Sequence, residues 1–362
     1  MKRIHFVLKS GVYPKRTGGM EIFNYHLIKT IRDQYNISYS AYSPLNFNKI
    51  KHHRLFPFKP SKVFEPIQLL FFLLFHRQIQ TIVYSFSRDH WLTWHLYRII
   101  SVLFKIDYVV VIHLGQKPCW DSKSHYIRRF LQKAKTVIAV SSDIKQNYDF
   151  VFGIDCDLIY PLVPFNICES NRDDLRSKYH IPQDSFVICM IGTIKKMKNP
   201  DTIIKAISLM SVSERNEIKP FVVFAGGGNL IPELKEMAEN LGVKDEVLFL
   251  GNIPKEQVNE IYHMSDIYLM ASDYEGTSVS LLEALFNSKP IIASKATGII
   301  DMIKDGSDCI MFKTQDANEL KDKVLFLAKS PMHRYRLGNN AKQTYMKKYD
   351  YQNVVTQYKE KL

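Results

Sequence analysis

The sequence predicts an α/β protein of two doubly wound units in tandem, facing each other across a cleft. Three observations carry this. Short runs rich in Val and Ile alternate with amphipathic helical stretches, and the alternation breaks at a pair of prolines and then restarts. The length of 362 residues also suits two domains of roughly 150 residues each.

The first strand is Ile4–Leu8, followed by a Gly-containing loop and a helix over residues 21–32. Thr81–Tyr84, Tyr108–Ile112 and Thr136–Val140 are further strands, the last ending at Ser141-Ser142, good helix N-cap types. Uninterrupted apolar runs of this length, separated by helices, mark a parallel sheet covered on both faces. After Asp157–Tyr160, Pro161 and Pro164 set an extended linker. Phe186–Ile191 opens the second unit, and Phe221–Ala225, Glu246–Leu250, Ile267–Met270 and Pro290–Ala293 continue it. No repeat and no low-complexity segment interrupts the series.

Bulk composition excludes several classes. The hydrophobic share of 46% and charged share of 23% are ordinary for a globular protein. Five scattered cysteines without a C-x-x-C pair speak against a disulfide framework or a zinc site and fit a reducing cytoplasm. The apolar start is broken by His5 and ends at Lys9, too short for a signal peptide. The longest apolar run, Pro66–Phe75, falls short of the about 20 residues of a membrane span.

The net charge of +13 is unevenly placed. Residues 1–165 hold 23 Lys and Arg against 10 Asp and Glu, so the whole excess lies there. A basic half suits an anionic partner such as a phosphate-bearing substrate or an acidic membrane surface, although solubility alone is also served. Leu69–Phe75, flanked by Lys59, Lys62 and Arg77, reads as a helix buried against the sheet. The alternative is a helix lying in a membrane interface.

The segment from Ser272 to Leu285 carries the most chemistry. A strand ends near Met270, a polar loop holds Glu275 and Gly276, and a helix begins around Thr277 or Ser278. Unpaired N–H groups and the dipole make such a helix start an anion site. Gly276 lets a phosphate approach the backbone. Glu283, eight residues after Glu275, has a direction fixed by the helix, and carboxylates accept hydrogen bonds from sugar hydroxyls. Spacing alone does not separate this reading from two solvated carboxylates.

The same segment resembles the E-x7-E motif of the family 4 retaining glycosyltransferases, which have the GT-B fold. Asp266, Pro290–Ala293, Gly298, Asp305-Gly306, Phe249-Leu250-Gly251 and Ala225-Gly226-Gly227-Gly228 match the family's neighbouring motifs in order, over residues 186 to about 345. The resemblance implies that Glu275 contacts the donor sugar and Glu283 the ribose. Gly192-Thr193-Ile194-Lys195-Lys196-Met197-Lys198 resembles the family's diphosphate loop. Lys198 stands at its Lys position and Thr193 at its Arg position, with Lys195 or Lys196 as substitutes for the missing cation. In the N-terminal half, Thr17-Gly18-Gly19-Met20-Glu21 resembles the family's G-G-x-E, which puts Gly19 at the donor, and an ordinary turn before a helix reads equally from the glycine pair. His113 matches a strand-end His near the donor sugar, where a structural role is the alternative.

The resemblance divides the chain into an acceptor domain (1–165), a nucleotide-sugar domain (166–345) and a C-terminal helix (346–362) that crosses back to the first. It implies a retaining hexosyltransferase using a nucleoside-diphosphate sugar and a glycan or lipid-linked hydroxyl acceptor, with no obligatory metal or cofactor. The setting it suggests is bacterial surface polysaccharide synthesis, in the cytoplasm or peripheral on the inner membrane face. A catalytically silent protein of this fold, favoured by Thr193, and a sugar-nucleotide epimerase are the rivals. No nucleic-acid motif or basic-aromatic stripe is present. The D-x-D at Asp155 and Asp157 reads as loop carboxylates. His90 and His95 read as helix packing. Gly226–Gly228 lacks the spacing of a dinucleotide fingerprint.

Overall fold

The computed structural model describes residues 1–8, 19–41, 51–54, 64–86, 91–113 and 124–362, with the backbone alone at 19–22, 41, 51–54 and 64–65. Thr17, Gly18, Lys59, Lys62 and His90 lie outside the described residues. The chain separates into two compact units, Met1–Pro164 with Tyr351–Leu362, and Phe165–Asp350.

The first unit is built on seven parallel strands: β1 (Arg3–Leu8), β2 (Asn36–Ala41), β3 (Lys51–Arg54), β4 (Thr81–Phe86), β5 (Asp107–Ile112), β6 (Thr136–Ala139) and β7 (Asp157–Leu158). Their order is β3-β2-β1-β4-β5-β6-β7. Every residue of β4 is buried, which is why Ile82–Tyr84 at its centre reads as an apolar run. β2 has no such run. Its Ser38 and Ser40 are buried because the His5 ring meets both hydroxyls, at 2.9 Å each.

The last helix, Tyr351–Lys361, belongs to this unit, and residues 346–350 stay with the other. It buries Val354, Val355 and Tyr358 in the core around β1. Tyr358 donates to the Ile159 carbonyl at 3.1 Å, and Lys361 pairs with Asp157 at 2.7 Å. Asp155 is paired too, with Lys145 at 2.7 Å, so both carboxylates of the D-x-D have cationic partners. The helix Phe64–Phe75 is not wholly buried. Leu69 and Leu73 face the core, but Phe71, Leu74 and Phe75 are exposed, because one helix face suffices to cover the sheet.

The second unit holds six parallel strands: β8 (Phe186–Ile191), β9 (Pro220–Ala225), β10 (Val247–Gly251), β11 (Ile267–Met270), β12 (Ile291–Ser294) and β13 (Ile310–Phe312). Their order is β10-β9-β8-β11-β12-β13. The chain winds from β8 outward to β10, returns to pair β11 with β8, and then winds the other way. Loops leaving the C-terminal ends of β8 and β11 therefore diverge around a crevice, the place where open α/β sheets bind ligands. Asp266 stands at the opposite end of β11. It accepts from Arg172 at 2.6 Å, Arg176 at 2.9 Å and the Val187 N–H at 2.8 Å, tying β11 to the start of β8.

Candidate active site

Glu275 and Lys198 come from the two loops that flank the crevice. Glu275 follows β11 and is only 8% exposed. A carboxylate this buried needs partners. Its Oε1 accepts from Lys198 Nζ, in the loop after β8, and from Ser272 Oγ at 2.7 Å. Lys198 ends a short 3-10 turn, Lys196–Lys198, and is followed by Asn199 in the left-handed region at φ 46°. Asn is among the few residues that enter this region readily. Its buried side chain donates to the Ala271 carbonyl at 3.0 Å and to Asp273 Oδ1 at 2.6 Å, and the Asp273 N–H returns to the Met197 carbonyl at 2.9 Å. These bonds fasten the lysine loop to the glutamate loop.

A third loop supports Glu275 from behind. Its N–H donates to the Thr297 carbonyl at 3.1 Å. Gly298, at φ 84°, lies so close that a Cβ there would stand 1.8 Å from the Glu275 carbonyl oxygen. The glycines after β9 are also explained by close approach. A Cβ on Gly226 would meet the Gly192 oxygen at 1.9 Å. They let the loops after β8 and β9 touch, and do not form a dinucleotide fingerprint.

Glu283 is carried by the helix Val279–Phe286, which starts one to two residues later than the sequence suggests. Ser278 is its N-cap, with Oγ accepting from the Leu281 N–H at 3.4 Å, and Thr277 precedes the helix. The N–H groups of Val279 and Ser280 remain those without an intrahelical acceptor, as at any helix start. Gly276 is half-buried, and a Cβ on it would meet no atom within 4 Å, so space is open beside this loop. Glu283 is 7% exposed, and the Tyr262 hydroxyl, which donates to the Ser280 carbonyl at 2.6 Å, also lies within hydrogen-bond reach of its Oε2, at 3.3 Å. Burial pushes the Glu283 carboxyl up to about 7, against the opposing pull of Lys255 and of the Tyr262 bond. Lys255 is in turn held below the usual lysine range by burial. Two carboxylates, one ion-paired and one close to its titration point, thus border one helix start. Among the described residues no three His, Cys, Asp or Glu gather as a metal set.

Residues 171–344 match the family described as glycosyl transferases group 1, nearly the whole second unit. This stretch is similar to members of that family. Over 264 residues, 72% of the chain, it is 24% identical to the N-acetyl-alpha-D-glucosaminyl L-malate synthase of Bacillus anthracis. It is 22% identical over 287 residues, 73% of the chain, to the D-inositol 3-phosphate glycosyltransferase of Corynebacterium kroppenstedtii. The aligned parts span 66% and 64% of those two relatives, under two thirds of their own length. Among solved structures, HepE of Anabaena in complex with UDP superposes with a TM-score of 0.82 at 17% identity, covering 99% of each chain. A glycosyltransferase of Rickettsia africae gives 0.84 at 17% identity, covering 99% of this chain and 97% of the other. The fold is GT-B.

In the second unit, Glu275, Lys198, Gly276, Thr277, Ser278 and Glu283 all lie in the loop after β8 or on the segment from β11 into the following helix. Thr193, Lys195 and Lys196 are exposed. Gly19 and His113 belong to the other unit, where Gly19 opens the helix Gly19–Ile31 and His113 follows β5. The half-buried His113 accepts or donates at Ser85 Oγ, 2.9 Å from Nε2, and stacks edge-on with Phe23. Burial lowers it to about 3, so it is a neutral imidazole at neutral pH. Sequence reasoning missed Ser272, Asn199, Tyr262, Lys255 and the tight fit of Gly298. Only Asn199 left a local sign, the Asn-Pro pair that opens the helix Pro200–Ser208.

Proposed function

We propose that this protein transfers a hexose-type sugar from a nucleoside-diphosphate sugar to a hydroxyl, with retention at the anomeric carbon. The observation that carries the reading is the Lys198–Glu275 pair at the switch point of the second sheet. A diphosphate entering the crevice draws the Lys198 ammonium toward itself. That frees the Glu275 carboxylate to accept from sugar hydroxyls. Lys198 and the N–H groups of Val279 and Ser280 then stabilise the charge that grows on the departing diphosphate as the glycosidic oxygen leaves. Glu283 accepts from the ribose hydroxyls. None of these roles calls for a resident metal or cofactor.

The UDP named for the Anabaena protein makes uridine the first nucleotide to test. The excess of basic residues over 1–165 suits a lipid-diphosphate or other anionic glycan acceptor. We place the reaction in bacterial surface polysaccharide synthesis on the cytoplasmic side of the membrane. A thermal-shift panel of UDP-, GDP- and ADP-sugars, followed by transfer and donor-hydrolysis assays, tests the proposal. Glu283→Ala is expected to weaken nucleotide binding, and Glu275→Ala to lower turnover mainly. Unchanged binding and rate in both variants would sink the assignment. Exposed Thr193, in place of an arginine, favours one other reading, a binding protein without turnover. Nucleotide binding with neither transfer nor hydrolysis across the panel would establish it.

A further inference from the structure

Among the described residues, six that are not glycine hold the backbone in the left-handed region. Lys105, His180, Lys219 and Ser288 stand within two residues of a helix C-terminus, where this conformation commonly ends the helix. The other two are differently placed. Asn199, at φ 46°, lies between a 3-10 turn and the helix Pro200–Ser208, and Gln315, at φ 65°, follows β13. Both donate their side-chain amides to the same atom, Asp273 Oδ1, at 2.6 and 3.0 Å. Asn takes this conformation readily, whereas Gln does not share that tolerance. Left-handed residues of this kind persist where the surroundings fix them, and they cluster at functional sites.

The loop around Gln315 is closed by its neighbours. The Asp316 N–H donates to the Lys313 carbonyl at 3.0 Å. Asp316 then caps the helix Ala317–Lys329, accepting from the Glu319 N–H at 2.9 Å, and Glu319 accepts from the Lys313 N–H at 2.7 Å. None of these bonds uses the Gln315 side chain, which reaches past β12 to the loop after β11. Gln315 and Asp273 are both exposed, and a bond in water adds little to folding, so it does not by itself offset the strained backbone. Its place explains it better. Asp273 stands two residues before Glu275, and its N–H donates to the Met197 carbonyl, next to Lys198. One carboxylate joins the loops after β8, β11 and β13, and the loop after β12 is joined to them where the Thr297 carbonyl accepts from Glu275.

We infer that Gln315 is a positioning residue for the Lys198 loop. Its left-handed backbone is kept because it aims the amide at Asp273, which holds Lys198 in register with Glu275. The effect on turnover rests on the transferase reading, whereas the effect on the loop does not.

Hydrogen exchange of the ligand-free chain, followed over the amides of residues 195–199, is the first test. Gln315→Gly adopts φ 65° without strain but has no amide. It is expected to melt no lower than the parent and yet to exchange this segment about threefold faster. Gln315→Glu keeps the length of the side chain but, ionised, cannot donate and faces Asp273 with like charge. It should exchange faster still. With donor, kcat of both variants should fall about fivefold while the donor KM stays within about twofold of the parent, because Lys198 acts on the leaving diphosphate. Parental exchange of the segment in both variants overturns the proposal. So does a lower melting temperature of Gln315→Gly that accounts for its faster exchange, and so does an unchanged kcat of both variants where the parent turns over. A parent that binds and turns over no sugar nucleotide defeats the transferase reading alone, and the exchange then decides the role of Gln315.

Discussion

Lys198 donates to Glu275 across the gap between the loops after β8 and β11, although 77 residues of chain separate them. The two side chains are 16% and 10% exposed, so the pair is largely desolvated. Removing one member of such a pair leaves the other charge without its counterion, which costs more than the intact pair contributes. Lys198→Met is expected to lower stability by about 1–3 kcal/mol, because the Glu275 carboxylate then retains only Ser272 among the described residues. Lys198→Met/Glu275→Gln should be less destabilised than the sum of its two parents, since the amide keeps the serine bond without a charge. Urea unfolding of the four proteins in the cycle measures this. Additive losses would show that the pair is not coupled. Turnover should fall by roughly a hundredfold in Lys198→Met, in a donor-saturated assay.

Asn199 makes a second prediction. Its left-handed backbone and its two side-chain bonds act together, and two substitutions separate them. Asn199→Ala loses both and is expected to cost about 2 kcal/mol. Asn199→Gly loses the bonds but takes φ 46° readily, so it should recover about 1 kcal/mol of that loss. Equal loss in both variants would mean that the backbone conformation contributes nothing. Both should lower turnover, since the Lys198 loop loses its tie to Ala271 and Asp273.

Gly298 is the tightest point behind the candidate site. Any side chain there meets the Glu275 carbonyl, a backbone atom that cannot rotate away, at a φ that L-residues resist. Gly298→Ala is expected to destabilise by about 3 kcal/mol and to abolish turnover by moving Glu275. Gly306→Ala has a similar φ of 75° but open space around its Cβ, and it should cost less. A thermal melt of the two variants side by side reads the difference. Equal shifts would mean that φ, not the contact with Glu275, sets the cost.

Most strands that were legible in the sequence are buried on both faces, such as Val109–Ile112 and Phe186–Ile191, and the half-buried β10 was legible from its apolar run. β2 and β13 were not. β2 buries serines that only a distant histidine can satisfy, and β13 has three residues, too few to show a pattern. The site divides in the same way. Glu275, Glu283 and Lys198 stand in short windows that resemble the family's motifs, and the resemblance, not the spacing alone, singled them out. Tyr262 reaches Glu283 from 21 residues away, and Asn199 reaches Asp273 from 74, so their roles exist only after the strands pair. Thr277 was expected at or near the first helical turn. Ser278 took the capping position because its hydroxyl reaches the Leu281 N–H, which starts the helix at Val279.

Glu283 gives a pH signature with opposite signs for stability and binding. Burial holds its carboxyl at about 7, against an ordinary 4.5, so between these values the folded protein keeps a proton that the unfolded chain has released. Stability therefore falls as pH rises through this window, and the loss is complete above the folded value. Glu283→Gln removes the titration while keeping an acceptor for Tyr262. The melting temperature of the variant minus that of the parent should thus increase from about pH 5 to about pH 8. Donor binding runs the other way. Only the ionised carboxylate can accept from two ribose hydroxyls at once, so affinity of the parent for the nucleotide should rise through about pH 7. In Glu283→Gln the affinity should be flat with pH and roughly tenfold weaker above it, the loss of one charge-assisted bond. Differential scanning fluorimetry and titration calorimetry at both pH values read the two slopes separately. A flat melting difference would remove the burial argument. A sloping melting difference with pH-independent binding in the parent would keep the burial and remove Glu283 from the ribose.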